Sequence, residues 1–498
     1  MTESTDVVII GAGLAGLRAA QILEAAGRNV VIVERSTRIG GRVATRHIDG
    51  FTIDEGFQLL NPSYPELRAT GVLGELSLCP LPASIVIQRD GRDRVLALPY
   101  RDVTGSLAGA LHGAVPWRDL VPLLRLGARV SRGATPRFLN EVDCSTSEGW
   151  ASLGLSPTTV ATILQPFLQG VLLEREFSTS WQFTQLALRS FLRGVPAVPH
   201  NGMSALPAAL RRRAPEAQVR LAEEAVSVLP TRVVTTLGEY HARHVIVATN
   251  EVPAETQWRS VTTWWFACPP ISDGRLRVDA DSPLLANAVA LSASAPSYAP
   301  PTAGLVAASV LGPYDVAQRD AVREAVARRF DLTTSEVHDI VATPIPRALP
   351  VVTRRRPGGA QWRDGVLVAG DSTSTPSFSL IAWTITFASG TPRRWMPTMT
   401  RPVVPSFSTI SWEIRTSARR TSSAFITWRA MSLLLARRPI SADHVAGCPM
   451  LAGRLPEGAA QFHHGLLGSD RHHGDSRCQL EAADRPEARM QLPVPVIR

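Results

Sequence analysis

Val7-Val8-Ile9-Ile10-Gly11-Ala12-Gly13-Leu14-Ala15-Gly16 decides the fold of this 498-residue chain. Four β-branched residues in a row predict a strand buried on both faces, at the centre of a parallel sheet. The glycines then open an alanine-rich helix that runs to Ala26 and closes at Gly27, a residue that accepts a left-handed cap. Val30 to Val33 predicts a second buried strand, ended by Glu34. This is the strand–helix–strand unit of a dinucleotide-binding fold. Gly11 permits the tight turn, Gly13 lets the backbone approach a pyrophosphate, and Gly16 lets helix and strand pack closely. Leu14 and Ala15 begin the helix, whose N–H groups and positive dipole end suit phosphate. Glu34 is placed to accept hydrogen bonds from ribose hydroxyls. The motif by itself leaves NAD and FAD both open.

Composition narrows the chemistry. Hydrophobic residues make up 45% and charged residues 19%, which allows a large core and excludes global disorder. All 52 basic residues are arginine, so Schiff-base lysines and phosphate-loop lysines are excluded. The net charge of +9 is uneven: residues 378–498 hold 15 Arg against 8 acids, and the rest is close to neutral. Such a body with a basic tail gives no nucleic-acid reading. The five cysteines are scattered, without a C-x-x-C pair, so neither a disulfide framework nor a zinc site is expected and a cytoplasmic location is the default. No basic-plus-apolar leader opens the chain, and no apolar run reaches the roughly 20 residues of a membrane span.

Farther along, Ile39-Gly40-Gly41-Arg42 ends a loop, and Phe51 to Gly56 reads as a short strand entering a turn. Residues from about 100 to 194 read as mostly helical, with runs such as Leu120 to Leu126. A helix is expected over 204–213, strands over 226–234 and 245–248, and a helix over 316–329. Gly365-Val366-Leu367-Val368-Ala369-Gly370-Asp371 is a third parallel-strand signature. After Phe378 the composition shifts to Arg, Ser, Thr, Pro and His, and helical periodicity weakens.

The span Val7 to Arg42 resembles the extended FAD fingerprint of the flavin amine oxidase and phytoene desaturase superfamily, the protoporphyrinogen oxidase side included. Further pieces match in order: FTIDEGFQ (51–58), residues 191–210, residues 225–249 and GVLVAGDSTSTPS (365–377). The resemblance implies FAD as cofactor. It implies that Arg35, Gly40, Gly41 and Arg42 lie along the diphosphate, with Arg42 pairing a phosphate or locking the loop. It implies that the backbone near Val226 holds the adenine, and that Gly370 and Asp371 meet the ribityl or pyrophosphate portion. The implied fold is α/β: a Rossmann-like FAD domain (1–98, 199–255 and 346–377) interwoven with an α+β substrate domain (99–198 and 256–345). Residues 378–498 form an atypical tail. The family continues after Ser377 with a small-residue helix, whereas this chain reads FSLIAWTIT, bulky and β-branched. The tail is therefore either a poorly ordered extension or an out-of-frame or foreign fusion.

The implied activity is dehydrogenation of a hydrophobic substrate, isoprenoid or tetrapyrrole, with hydride passing to flavin N5. The electron acceptor is O₂ or a quinone, and an apolar substrate would bring peripheral membrane contact. A lysine-free chain departs from the amine oxidases, which usually place a lysine by N5. Three alternatives stand beside this reading: a flavin amine oxidase, a non-catalytic binding protein on the same fold resembling Rab GDP dissociation inhibitors, and an inactive product with a damaged C-terminus. No catalytic residue is assigned and no metal is expected. His463, His464, His472, His473 and Cys478 lack a metal-ligand spacing. The arginine triplets at 211–213 and 354–356 read as solvated charge. Trp264-Trp265-Phe266 reads either as a cavity lining or as strand packing, and His200 and Asn201 lie by the domain crossover.

Overall fold

The computed structural model describes residues 2–97, 115–133, 137–249, 256–354 and 361–370. Asp371, the tail 378–498 with its histidines, and the arginines at 355 and 356 lie outside the described residues.

Strand β1 (Thr2–Ile10) pairs in parallel with β2 (Val30–Val33) on one side and with Glu239–Val247 on the other. It is therefore central, and Val7 to Ile10 are buried on both faces. Val7 and Ile9 face helix α1 (Leu14–Ala25), while Val8 and Ile10 pack with Val31, Val33 and Val245 on the opposite side. Gln218–Arg220 extends the sheet beyond β2. Strand Glu239–Val247 forks: its first half pairs antiparallel with Arg232–Thr235, and its second half pairs in parallel with Val366–Val368. The strand expected over 226–234 is thus a hairpin, Ala225–Leu229 and Arg232–Thr235, with a bulge at Val226. The two strands turn at Pro230-Thr231, where a single run had been expected.

The second sheet has seven strands, in the order 338–350, 258–268, 304–311, 287–290, 276–279, 84–89 and 92–97. The last two form a hairpin through Asp90 and Gly91, both at positive φ, as a tight two-residue turn requires. Trp264 and Phe266 pack against the helix Arg319–Arg329, and Trp265 points to the opposite face with Phe51 and Ile53. All three are buried, so this triplet belongs to strand packing. Arg212 and Arg213 pair with Glu75 at the end of the helix Ala205–Arg212.

Helices Trp117–Ser131, Thr146–Ser152, Gln165–Leu172 and Trp181–Arg193 make up the helical region. It shares one continuous apolar cluster with α1. It meets the second sheet through Ile163 against Ile87 and Val278, and through an ion pair. Arg259 Nη2 meets Glu174 Oε2 at 2.6 Å, and the two side chains are 11% and 3% exposed. Arg259 also donates to Leu172 O and Thr179 Oγ1, and Glu174 accepts from the Ser178 and Thr179 amides. Among the described residues no helix is long and apolar enough to cross a membrane.

Removing one partner of a buried, hydrogen-bonded pair strands a charge away from water. Glu174→Ala is expected to cost on the order of 3–5 kcal/mol in urea unfolding. The double variant Glu174→Leu/Arg259→Met is expected to recover much of that loss.

Candidate functional site

The carboxyl ends of β1, β2 and Glu239–Val247 open onto one crevice of about 350 Å³. Open parallel sheets place ligands at such strand ends. Gly11, Gly13, Leu14, Glu34, Arg35, Gly40, Gly41 and Arg42 line it together. Ala15 and Gly16 lie behind this surface, buried in the first turn of α1. Gly370 follows strand Val366–Val368, whose neighbour Ala369 donates to Val247 O. Val226 sits at its bulge, 68% exposed, while Ala225 beside it lines the crevice.

The glycines make different contacts. A Cβ on Gly16 would lie 1.9 Å from Gly11 O, so helix and strand meet only because the side chain is missing. Gly40 has φ +105°, donates to Ala12 O, and a Cβ there would strike Val43 O at 2.3 Å. Gly13 differs: its φ is −71° and a Cβ would meet nothing within 4 Å. No contact inside the protein demands glycine at 13, and the space in front of it belongs to the crevice. Gly13 caps α1 without a side-chain bond, and no acid stands in the first turn. A helix end left this way suits a phosphate group.

Glu34, 9% exposed, spans the floor. Its Oε2 accepts from Ala12 N at 2.7 Å and its Oε1 from Ser36 N at 3.0 Å. Each oxygen keeps a second acceptor direction, which is what a ribose diol needs. Arg42 Nη1 donates to Arg347 O and Ala348 O, both at 2.9 Å, and its guanidinium lies over the Trp258 ring. Arg42 therefore fastens the Gly40-Gly41 loop to strand His338–Pro350 while facing the crevice. Arg38 Nη1 reaches Gly41 O at 3.0 Å. With Arg35 and Arg347, four guanidinium groups surround the opening, suited to a diphosphate. These donors, the open cradle at Gly13 and the carboxylate of Glu34 fit the ADP portion of FAD.

Sequence reasoning missed several lining residues: Ser36, Arg38, Glu223, Glu224, Ala225, Thr249 and Arg347. Glu223 is buried and accepts from Thr235 Oγ1 and Tyr240 OH, and burial with this carboxylate pushes the Tyr240 phenol up to about 12.

The FTIDEGFQ segment lies between Arg42 and the second sheet. Gln58 Nε2 donates to Arg42 O at 3.0 Å, Phe57 N donates to Thr263 Oγ1, and Gly56 passes so close to Ile345 that a Cβ would approach its Cδ1 to 2.2 Å. Asp54 is 1% exposed and accepts from Thr45 Oγ1 at 2.6 Å, Met203 N at 2.9 Å and Tyr298 OH at 2.9 Å. Thr45 Oγ1 in turn accepts from Ser204 N, ahead of the helix Ala205–Arg212, whose Pro207 packs against Gly40. Burial pushes the Asp54 carboxyl up to about 6, against the lowering effect of its three donors and with a small push from Glu55. Burial and the Asp54 charge also raise the Tyr298 hydroxyl. His200 and Asn201 are exposed, and the carbonyl of His200 accepts from Ser297 Oγ.

The model of the flavin containing amine oxidoreductase family matches residues 14–256. Just under half of the chain is thus similar to this flavin-containing family. The match to a flavin-containing family implies FAD as the cofactor. Putrescine oxidase from Kocuria rosea is 45% identical over 73 residues, 15% of each chain. Protoporphyrinogen oxidase 1, chloroplastic, from Arabidopsis thaliana is 40% identical over 70 residues, 13% of each chain. The alignments thus span less than a sixth of either relative. A solved structure of the PF1083 protein from Pyrococcus furiosus superposes with a TM-score of 0.59 at 17% identity, covering 77% of this chain and 95% of that one, and so shares the fold.

The two glycines that differ in contact should differ in effect. Gly13→Ala is expected to leave thermal unfolding of the flavin-free protein nearly unchanged and to weaken FAD binding by about tenfold or more. Gly16→Ala is expected to lower stability by about 1–3 kcal/mol before any ligand is added. Asp54 makes a separate prediction about pH. Its folded value lies above that of an unfolded aspartate, so the folded state holds the proton more tightly. Its contribution to stability is then best at low pH and is lost as pH rises from about 4 to about 6, by on the order of 3 kcal/mol. Urea unfolding of wild type and Asp54→Asn across that range should diverge, the variant having the flatter profile.

Proposed function

We propose that the chain is an FAD-dependent oxidoreductase that dehydrogenates a hydrophobic substrate, isoprenoid or tetrapyrrole in class, by hydride transfer to flavin N5. The observation that carries the reading is the crevice itself: an uncapped helix end, an open cradle at Gly13, Glu34 with acceptor capacity to spare, and four arginines, in a chain whose residues 14–256 match a flavin-containing family. In this reading Gly11, Gly13, Leu14, Ala15 and Gly16 take the pyrophosphate, with Arg35, Gly40, Gly41 and Arg42 beside it. Glu34 holds the ribose, the backbone around Ala225 and Val226 takes the adenine, and Gly370 with Asp371 meets the ribityl side.

FAD supplies the hydride acceptor when bound. The protein's part is to bind, orient and exclude water. The two sheets support a partition close to the one expected from sequence. Strands from 2–10, 30–33, 218–247 and 361–368 build the FAD domain, and those from 258–350 build the sheet of the substrate domain. The hairpin 84–97 pairs within the second sheet, so we assign it to the substrate domain. Dehydrogenation releases a proton from the carbon beside the hydride donor; it passes to solvent, and no side chain is assigned to carry it. An electron acceptor, O₂ or a quinone, completes the cycle, and a substrate of this class would bring transient contact with a membrane.

A second reading, oxidation of an amine, draws on the match to putrescine oxidase. Against it stands the absence of lysine from the whole sequence.

Purified protein should carry flavin absorbance. Anaerobic addition of an apolar polyene or a porphyrinogen should bleach it, whereas putrescine should not. Bleaching by the diamine alone would transfer the chain to the amine reading. A flavin that no candidate substrate bleaches would favour a binding role, and a colourless protein that refuses FAD would sink the proposal entirely. Glu34→Gln should weaken FAD binding by about 10- to 100-fold, the value of charge-assisted hydrogen bonds to a diol.

A further inference from the structure

The helix Trp117–Ser131 uses only one of its faces inside the protein. Leu126 and Val130 are buried in the main cluster. From the neighbouring helix Trp181–Arg193, Arg189 Nη1 donates to Val130 O at 2.6 Å and Arg132 O at 3.0 Å, and Gln185 accepts from Arg129 Nε at 2.8 Å. Asp119, the helix's only acid, is buried and bonded to Ser156 N at 2.9 Å and Thr159 Oγ1 at 2.6 Å.

The opposite face is apolar, and among the described residues nothing covers it. Trp117, Leu120, Val121 and Leu124 are 84%, 46%, 51% and 72% exposed. Their spacing of three and four residues puts them in one stripe. Four of the twelve large apolar side chains exposed among the described residues fall in these eight positions. Along one flank of the stripe, at spacing of seven, stand Arg118 and Arg125, both exposed, and the exposed Arg132 follows the helix as its C-cap. No exposed acid interrupts them on the helix.

Charge decides what fits such a face. A second copy of this face would bring Arg118 and Arg125 against the same arginines, with no exposed acid on the helix to pair them. An apolar stripe with a tryptophan and an arginine flank matches the boundary between acyl chains and anionic headgroups. We propose that the helix Trp117–Ser131 docks the protein on an anionic membrane surface. It lies along the bilayer plane, with Trp117, Leu120, Val121 and Leu124 below the headgroups and Arg118 and Arg125 among the phosphates. This goes beyond the proposed redox chemistry and names the surface that would meet a bilayer. It is read without a substrate, so its failure and the failure of the flavin reading are separate results.

The test is co-sedimentation of the full chain, with FAD added, on vesicles of phosphatidylcholine alone or mixed with phosphatidylglycerol. Wild type should bind the mixed vesicles, bind the neutral ones more weakly, and release as salt rises. Trp117→Ser/Leu124→Ser should lose binding by about tenfold or more. Arg118→Ser/Arg125→Ser should lose the preference for anionic vesicles. Both variants should keep wild-type flavin absorbance and thermal unfolding. The proposal is overturned if wild type ignores vesicles. It is equally overturned if both variants bind as wild type does, which would place the contact elsewhere, for instance on the basic residues 378–498. Elution of wild type as a dimer that Leu124→Ser dissociates would also overturn it, making this face a contact between copies.

Discussion

The approach of α1 to the end of β1 is the constraint on which the rest of the structure depends. The 1.9 Å between a hypothetical Cβ at Gly16 and the carbonyl of Gly11 leaves no room for any side chain. That closeness lets Leu14 and Leu17 join Val7 and Ile9 in one apolar layer, and it fixes the direction in which the helix begins. The Gly40 loop then pairs with Ala12 and Gly13 at the same edge. Pro207 closes over Gly40, and Asp54 with Thr45 holds the segment that leads into Pro207's helix. A shift at Gly16 would therefore be felt through four chain segments. This coupling is expected of a close-packed interior, which transmits a displacement instead of absorbing it.

The strand–helix–strand unit was legible because everything that defines it is contiguous. Glycine spacing, β-branched runs and one acid lie within 28 residues, Val7 to Glu34. What stayed hidden is non-local. Arg347 reaches the crevice from the second sheet, and nothing around it marks a phosphate site. Asp54 stands inside a segment quoted for its resemblance, yet its partner Tyr298 is 244 residues away. The hairpin 84–97 did carry a signal, Asp90-Gly91 between alternating apolar residues, and its place in the second sheet depends on a parallel partner at 276–279. The helix 117–131 shows a different limit. Its apolar residues cover more than half of its circumference, on both sides of the arginine flank, so periodicity gives a helix but cannot say which apolar side is left outside. Only the neighbouring helix 181–193 settles that.

An all-arginine cation set shapes how these pieces are joined. Arg42 bridges the crevice loop to the carbonyls of two successive residues on another sheet, Arg189 reaches carbonyls at the end of a neighbouring helix, and Arg259 ties a carboxylate, a hydroxyl and a carbonyl at once. A planar fork of five donors can satisfy several acceptors in fixed directions, where an ammonium acts as a compact point charge. The seam between the hairpin 45–54, Met203 and Tyr298 is built differently, from a carboxylate and hydroxyls with no cation facing them. A carboxyl raised by burial therefore stands at Asp54, next to the segment that positions the diphosphate loop, with no cation to hold it ionised.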